Sequence, residues 1–232
     1  MYSNSNRLIV FDVDGTIIDA YSAIVETFSK HGMELGDLER FQKRHHLFKY
    51  LGGIKEFPFN LRKQLGKRSR KKILSTLTDV YRDDAELYPG MADLIRTLIA
   101  APGIRVGLVT RNITNEPMLT IRKVLSRHDI DLDAFDFAVH VPLREDKTHA
   151  LRSARKSFDI NPARSYACGD EHKDFTSAIA AGMHAFIGSY GFEDYTRLTK
   201  KFQVPEDVIS RTPEDLSIRV HHALDIGPFE CR

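Results

Sequence analysis

Cysteine is scarce in this sequence, which has only Cys168 and Cys231 among its 232 residues. Cys168 falls in a predicted strand and Cys231 in the C-terminal tail, so we expect no disulfide framework and a reducing compartment. The N-terminal residues MYSNSNR lack the apolar segment of a signal peptide, and no apolar run approaches the length of a membrane span. These absences predict a cytoplasmic protein that does not use a membrane as a partner.

Net charge is also small, because 34 Lys+Arg nearly balance 32 Asp+Glu and leave +2. This composition disfavours both disorder and strong polyelectrolyte behaviour. The charge is nevertheless uneven, since residues 20–84 carry a net charge of +6 and the remainder carries −4. Within that basic part, the segment KRSRKK at residues 67–72 has no accompanying aromatic platform or nucleic-acid-binding motif, so we do not expect nucleic acid as a partner.

A short apolar run that ends in acidic residues organises the chain, and it reads RLIVFDVDGT at residues 7–16. Its β-branched members indicate a buried parallel strand, which places Asp12 and Asp14 at the carboxyl end, where open α/β sheets bind ligands. Two carboxylates one residue apart repel each other unless a cation neutralises them, so the pattern favours a divalent metal with oxygen ligands. Gly15 allows the backbone to turn tightly there.

Two simpler interpretations compete with a metal site at this motif. A calcium loop of the EF-hand type requires Gly at its sixth position and Glu at its twelfth, where this sequence has Ile17 and Ala23. That interpretation therefore fails. The second is a polar turn after a strand, and the remaining motifs of the chain decide against it.

The rest of the chain divides into a helical part and an alternating part. Residues 20–88 hold no convincing strand, and apolar residues at helical spacing, such as Ile73, Leu77 and Val80, predict a small helical bundle. From Tyr88-Pro89-Gly90 onward, helices and strands alternate, which indicates an α/β fold with a parallel sheet covered by helices on both faces. The predicted strands are residues 8–11, 104–109, 135–139, 165–168 and 184–187, the predicted helices are residues 91–100, 116–126, 147–158 and 175–181, and residues 206–224 predict a last short strand and a closing helix.

Further polar residues lie at the carboxyl ends of the predicted strands or at the starts of the helices that follow. Thr110 ends one strand, Lys147 opens a helix, and Asp170 and Asp174 follow another strand. All of them would project to one edge of the sheet. An acidic cluster with a hydroxyl and a lysine suits a phosphate group, because a metal and an ammonium neutralise its oxygens and the hydroxyl hydrogen-bonds to them.

On these motifs the chain resembles the haloacid dehalogenase superfamily, in the helical-cap phosphatase branch that includes phosphoglycolate phosphatases and beta-phosphoglucomutases. FDVDGT, LVTRN, Lys147 and GDEHKD correspond to its four motifs, and the match spans nearly the whole chain. The resemblance implies a Rossmann-like core formed by residues 1–19 and 86–232, with an all-helical cap inserted at residues 20–85.

The resemblance also implies a role for each acidic residue. Asp12 would attack phosphorus and form an aspartyl-phosphate, and Asp14 would protonate the leaving oxygen and then activate water. Mg²⁺ would bind the carboxylates of Asp12 and Asp170 and the backbone carbonyl of Asp14, with Asp174 as a ligand or an anchor of the ligands. An aspartate at position 14 favours a phosphatase, because dehalogenase relatives need no proton donor there.

Phosphate binding is assigned by the same resemblance. Thr110 and Lys147 would hold the transferring phosphoryl group, helped by backbone N–H groups near Asp14 and Arg111. The third motif is the weakest of the four, since this chain reads REDKTHAL, and Arg144 is an alternative to Lys147 there. His172 lies inside the fourth motif, but a histidine in the first turn of a helix is commonly solvated, so we assign it no catalytic role.

The expected function is a Mg²⁺-dependent phosphomonoester hydrolase, monomeric or homodimeric, that acts on a small phosphorylated metabolite. A phosphomutase of the same superfamily is an alternative that retains both aspartates, and a non-catalytic binding protein on the same fold is another. The basic cap contains a glycine-bearing loop around Gly52-Gly53. We therefore expect the substrate to carry a second anionic or strongly polar group besides its phosphate, and Lys49 or Lys55 to contact that group.

Overall fold

A single parallel sheet forms the centre of the structure, which is a computed structural model that describes residues 6–34 and 70–227. Its six strands lie in the order β3-β2-β1-β4-β5-β6. The strands are β1 (Arg7–Phe11), β2 (Ile104–Thr110), β3 (Phe137–His140), β4 (Ser165–Gly169), β5 (His184–Gly188) and β6 (Ile209–Ser210). This arrangement confirms the predicted α/β class with a parallel sheet.

Seven α-helices accompany the sheet in the described part of the chain. They are α1 (Ala20–Lys30), α2 (Arg70–Asp83), α3 (Met91–Ala100), α4 (Pro117–Arg127), α5 (Thr148–Ser157), α6 (His172–Ala181) and α7 (Pro213–Ala223). None of the helices within residues 6–34 and 70–227 has both the length and the apolarity needed to cross a membrane.

Both faces of the sheet are buried, which explains the continuous apolar run of β1. Ile9 and Phe11 pack into one hydrophobic cluster, to which α1, α2, α3, α4 and α7 contribute. Leu8 and Val10 point to the opposite face and pack with residues of α5 and α6. A strand with both faces buried needs apolar residues at every position, and here all four of these side chains are at most 1% exposed.

The order of the strands creates a crevice beside β1. The chain proceeds outward from β1 through β2 to β3, and then returns to the other side of β1 with β4. Phe11 is paired with Leu108 of β2 and with Cys168 of β4, so the carboxyl ends of the three strands are level. Open α/β sheets bind ligands at such a reversal of strand order.

Two element boundaries differ from the prediction. The third strand begins at Phe137 and not at residue 135, because Leu132–Ala134 forms a 3-10 turn and Phe135 is buried beneath it. Helix α6 begins at His172 and not at residue 175, because Glu171 and Asp174 form a capping box around its first turn.

The described ends of the predicted cap are helical. Helices α1 and α2 pack against each other, and Ile24, Phe28, Ile73 and Leu77 are buried between them and the core. Residues 35–69 lie outside the described residues, so the division into a core and a cap at residues 20–85 stays a prediction.

Candidate active site

Three residues meet at the level carboxyl ends of β1, β2 and β4. Asp12 follows β1 directly, and its backbone N–H donates to the carbonyl oxygen of Cys168 in β4 at 2.8 Å. Thr110 is the last residue of β2, and Asp170 follows the last residue of β4. The strand register therefore brings together side chains that lie between 60 and 158 positions apart in the sequence.

Three carboxylates form a compact cluster there. One oxygen each of Asp12, Asp170 and Asp174 lies within 4.8 Å of the others. The buried Lys147, which directly precedes α5, places its Nζ 2.6 Å from Oδ2 of Asp12 and 2.7 Å from Oδ1 of Asp174. Arg144, the sequence alternative to this lysine, is exposed.

Burial and the lysine act on these acids in opposite directions. Burial raises the pKa of Asp12 to about 7, although Lys147 opposes this increase. Burial also disfavours the Asp174 carboxylate, but Lys147 and Arg111 outweigh it and lower the pKa of Asp174 below its usual value. Lys147 itself is buried, yet the two aspartates raise its pKa to about 12. The lysine is therefore a firmly charged cation between two acids.

Asp170 differs from its neighbours because no lysine within residues 6–34 and 70–227 contacts it. Its Oδ2 accepts a hydrogen bond of 2.6 Å from the backbone N–H of Phe192, and its buried Oδ1 has no hydrogen-bond partner among the same residues. Burial raises the pKa of Asp170 well above its usual value, and Asp12 adds to the increase. A fully buried acid with one unpartnered oxygen, beside two further carboxylates, is a donor set that fits a divalent cation.

Two glycines enclose Asp170. A Cβ atom at Gly15 would lie 2.2 Å from Oδ2 of Asp170, and a Cβ at Gly191 would lie 2.4 Å from the same oxygen. Gly15 also has a φ of +81°, a conformation that residues with side chains rarely adopt. The tight turn predicted at Gly15 is present, and the glycines allow two loops to approach the acid closely.

Asp14 lies close to the cluster but has its own contacts. Nδ2 of Asn112 is 3.0 Å from each of its carboxylate oxygens, and the Tyr81 side chain of α2 makes a further hydrogen bond to it. Burial raises the pKa of Asp14 above its usual value, and these two hydrogen bonds oppose the increase. The two aspartates of the first motif therefore occupy different environments.

The remaining predicted phosphate ligands lie on the loop after β2. The buried Thr110 accepts a hydrogen bond of 3.1 Å from the backbone N–H of Asn112. The Arg111 guanidinium forms an ion pair of 2.8 Å with Glu171, and the acids around it raise its pKa although burial acts against this. The pair joins the loop after β2 to the loop after β4. The predicted substrate contacts Lys49 and Lys55 lie outside the described residues.

Sequence reasoning missed several residues of the site. His172 is only partly solvated, with 26% of its side chain exposed, because its ring stacks on Phe202 with centroids 3.6 Å apart and its Nδ1 is 2.9 Å from the fully buried Glu193. Phe192 contributes a backbone N–H, which no side-chain pattern reveals. Asn112 lies inside the LVTRN motif, and its position two residues after Thr110 is the one signal in the sequence that indicates it.

Comparison with known proteins shows which family this chain matches. The family model of haloacid dehalogenase-like hydrolases matches residues 6–182. Seven curated relatives match, each named phosphoglycolate phosphatase. The one from Pseudomonas putida is 26% identical over 205 residues, which cover 80% of this chain and 70% of the relative. The one from Aquifex aeolicus is 23% identical over 94% of this chain and 99% of its own.

Solved structures share the same fold. A haloacid dehalogenase-like family hydrolase from Streptococcus pneumoniae superimposes with a TM-score of 0.63 at 19% identity, covering 92% of this chain and 98% of its own. A putative beta-phosphoglucomutase from Thermotoga maritima gives a TM-score of 0.61 at 16% identity. The match covers 93% of this chain and 99% of the phosphoglucomutase chain.

Proposed function

The chain belongs to the haloacid dehalogenase-like hydrolases, and from that premise we propose that it is a phosphatase acting on a small phosphorylated metabolite through an aspartyl-phosphate. One observation carries this proposal: Asp12 and Asp14 lie side by side in different environments. Asp12 is paired with the buried Lys147, whereas Asp14 is held by Asn112 and Tyr81. Such a separation suits one acid as a nucleophile and the other as a proton carrier.

The nucleophile is Asp12 in this proposal. Its Oδ2 contacts Nζ of Lys147 at 2.6 Å, and this pairing favours the charged form that attacks phosphorus. Thr110 and the backbone N–H groups of the loop after β2 hydrogen-bond the phosphoryl oxygens, and Lys147 contributes positive charge beside them. Asp14 gives its proton to the ester oxygen as that oxygen leaves, and then takes a proton from the water that cleaves the aspartyl-phosphate.

We propose Mg²⁺ as the cofactor, held by the carboxylates of Asp12 and Asp170 and the backbone carbonyl of Asp14. Asp174 supports the site by pairing with Lys147 and by accepting hydrogen bonds from the backbone N–H groups of Asp170 and Glu171 at 3.3 and 3.1 Å. When bound, Mg²⁺ supplies charge neutralisation for the phosphoryl oxygens. The observation that most favours a cation is the buried Oδ1 of Asp170, which has no hydrogen-bond partner among the described residues.

The names of the seven curated relatives favour phosphoglycolate as the first substrate to test. Phosphoglycolate carries a carboxylate besides its phosphate, in agreement with the second anionic group expected from the basic segment at residues 20–84. Lys49 and Lys55 stay our predicted contacts for that group. The phosphomutase alternative draws support from the fold alone, since the phosphomutase-like structure is 16% identical.

The test is hydrolysis of p-nitrophenyl phosphate and phosphoglycolate with Mg²⁺ and with a chelator. We expect Mg²⁺-dependent release of phosphate that falls to background in Asp12→Asn, because that change removes a nucleophile and a metal ligand together. Asp93→Asn is the matched control, since Asp93 is exposed on α3 and pairs only with Arg96 among the described residues. Wild-type turnover by a folded Asp12→Asn protein would contradict the mechanism.

A further inference from the structure

Asn112 contacts Asp14, but neither the family motifs nor the proposed mechanism assigns Asn112 a role in the reaction. Its side-chain nitrogen Nδ2 is 3.0 Å from Oδ1 and 3.0 Å from Oδ2 of Asp14, a residue 98 positions away in the chain. An amide nitrogen at equal distance from both carboxylate oxygens can hydrogen-bond to both of them. It therefore limits rotation of the carboxylate about its Cβ–Cγ bond.

The orientation of the Asn112 amide is determined by its other contacts. Its Oδ1 accepts hydrogen bonds from the backbone N–H of Thr114 at 2.9 Å and from the Thr114 hydroxyl. Because Oδ1 must face these donors, Nδ2 must face Asp14, and the usual ambiguity between the two ends of an amide does not arise. The side chain of Asn112 is buried, with 2% of the residue exposed.

The backbone of Asn112 is held as firmly as its side chain. Its N–H donates to Oγ1 of Thr110 at 3.1 Å, and its carbonyl oxygen is 3.0 Å from Nε2 of His140 in the edge strand β3. A buried residue fixed at backbone and side chain is a rigid support for the group it contacts. Asn112 thus connects the predicted phosphate ligand Thr110 to the predicted proton carrier Asp14.

We propose that Asn112 is a positioning residue that orients the Asp14 carboxyl group toward the leaving oxygen of the substrate. This inference rests on the proposed phosphatase function. In that reaction an oxygen of Asp12 bonds to phosphorus, the bond from phosphorus to the ester oxygen breaks, and the ester oxygen keeps the electron pair and takes the proton of Asp14. Water later attacks phosphorus, gives a proton to Asp14, and frees Asp12 with release of inorganic phosphate.

Hydrogen bonds to Asp14 leave room for this transfer. A carboxylate offers about four lone-pair positions, and one of them carries the proton when the group is an acid. Asn112 approaches between the two oxygens, and Tyr81 takes one further position. At least one position stays open for the ester oxygen, and the two supports determine which one. Proton transfer depends on this alignment, because it needs donor and acceptor within hydrogen-bond distance.

A purely structural role for Asn112 predicts a different kinetic result. If Asn112 only held the loop after β2 in place, its loss would displace Thr110 and slow phosphoryl transfer from every substrate alike. If it orients Asp14, the loss is greatest for substrates whose leaving group needs a proton. Alkyl phosphates need one, and p-nitrophenyl phosphate does not, because p-nitrophenolate is a stable anion.

The experiment measures single-turnover phosphoryl transfer with Mg²⁺ for an alkyl phosphate and for p-nitrophenyl phosphate. For Asn112→Ala we expect a loss of about 10- to 100-fold on the alkyl phosphate, the size typical of hydrogen bonds to a charged group. We expect the loss on p-nitrophenyl phosphate to be smaller by about tenfold. Asp14→Asn, measured in parallel, should show the same selectivity with a larger loss.

Asn115→Ala is the matched control. Asn115 lies on the same loop with an exposed side chain, and its recorded hydrogen bonds are made by its backbone N–H to Thr78 and by its carbonyl oxygen to Arg82 and Thr120. The same substitution there should leave both rates within about twofold of wild type. Thermal unfolding of both variants shows whether a loss of rate follows from a loss of fold.

Each outcome decides the inference. Equal losses on the two substrates, or no loss, in folded Asn112→Ala would overturn it while leaving the phosphatase intact, whereas a wild-type protein inactive on every ester would overturn the proposed function as well. If Asn112→Ala does not fold, Thr114→Val decides, because it removes one of the donors that orient the amide. It should give a loss of about 3- to 10-fold with the same preference, and equal losses would again count against the inference.

Discussion

Gly191 offers the sharpest test of the site geometry, because a single methyl group there should damage the site more than the fold. A Cβ at Gly191 would lie 2.3 Å from the carbonyl oxygen of Gly15 and 2.4 Å from Oδ2 of Asp170. Normal contacts of this kind exceed 3.0 Å. In Gly191→Ala, the turn at Gly15 and the Asp170 side chain, or residue 191 itself, must therefore move by about 0.6 Å or more.

Both possible movements disturb the acidic cluster. Misplacement by about 1 Å at a catalytic site costs about 10²-fold in rate, so we expect kcat/KM of Gly191→Ala to fall by about 10- to 100-fold. The Mg²⁺ concentration for half-maximal activity should rise, because Asp170 is one of the proposed ligands. Overpacking should lower the free energy of unfolding by about 1–3 kcal/mol, which corresponds to a decrease in Tm of about 2–12 °C for a chain of this size.

Gly182→Ala separates the effect on the site from the effect on stability. Gly182 ends α6 with a φ of +73°, and the nearest atom to a Cβ there is Nη2 of Arg155 at 3.9 Å. The substitution should cost about 1–2 kcal/mol through its left-handed backbone and leave the site untouched. If Gly191→Ala kept wild-type kcat and Mg²⁺ dependence, or if Gly182→Ala lost as much activity, the proposed packing around Asp170 would be wrong.

Two further predictions concern buried groups. Lys147→Met should lower the free energy of unfolding by about 3–5 kcal/mol in Mg²⁺-free urea titrations, because Asp12 and Asp174 lose their buried cation. Adding Asp174→Asn should recover part of that loss, and a single variant as stable as wild type would contradict the pairing. Burial raises the pKa of the Cys168 thiol, so in a Cys231→Ser background it should react with a thiol reagent at pH 8 only as fast as the protein unfolds. If Cys168 of the folded protein were labelled as fast as Cys168 of the urea-unfolded protein, the predicted burial of this thiol would be wrong.

The sequence was sufficient to predict the sheet because its central strands are buried on both faces. Continuous apolar runs predicted β1, β2, β4 and β5 to within one residue at each end. The edge strand β3 is only four residues long and half of it is exposed, so its apolar pattern was weaker and its start was placed two residues too early. The predicted start of helix α6 is three residues too late, because Asp174 is interpreted from the sequence only as site chemistry, although Asp174 also forms a capping box with Glu171.

In the candidate site, the residues at strand ends could be predicted from the sequence and the contacts made by loops could not. Asp12, Thr110 and Asp170 could be placed together because parallel strands align their carboxyl ends. The contact of Asn112 with Asp14 could not be predicted, because a hydrogen bond between residues 98 positions apart depends on the course of a loop that has no periodicity. The same holds for the backbone N–H of Phe192, which reaches Asp170 from the loop after β5.

The distribution of charge within the cluster is a further property that motifs do not encode. The motifs supply the three aspartates of the cluster and Lys147, but only the structure assigns that lysine to Asp12 and Asp174. In the described part of the chain, Asp170 has a backbone N–H on one oxygen and no partner on the other, and burial and the neighbouring acids raise its pKa. A buried carboxylate is costly unless a positive charge neutralises it, so Asp170 is the carboxylate of the cluster that a bound cation would stabilise most. We therefore expect Asp170→Asn to stabilise the metal-free protein and to weaken Mg²⁺ binding, because the substitution removes the same uncompensated charge in both cases.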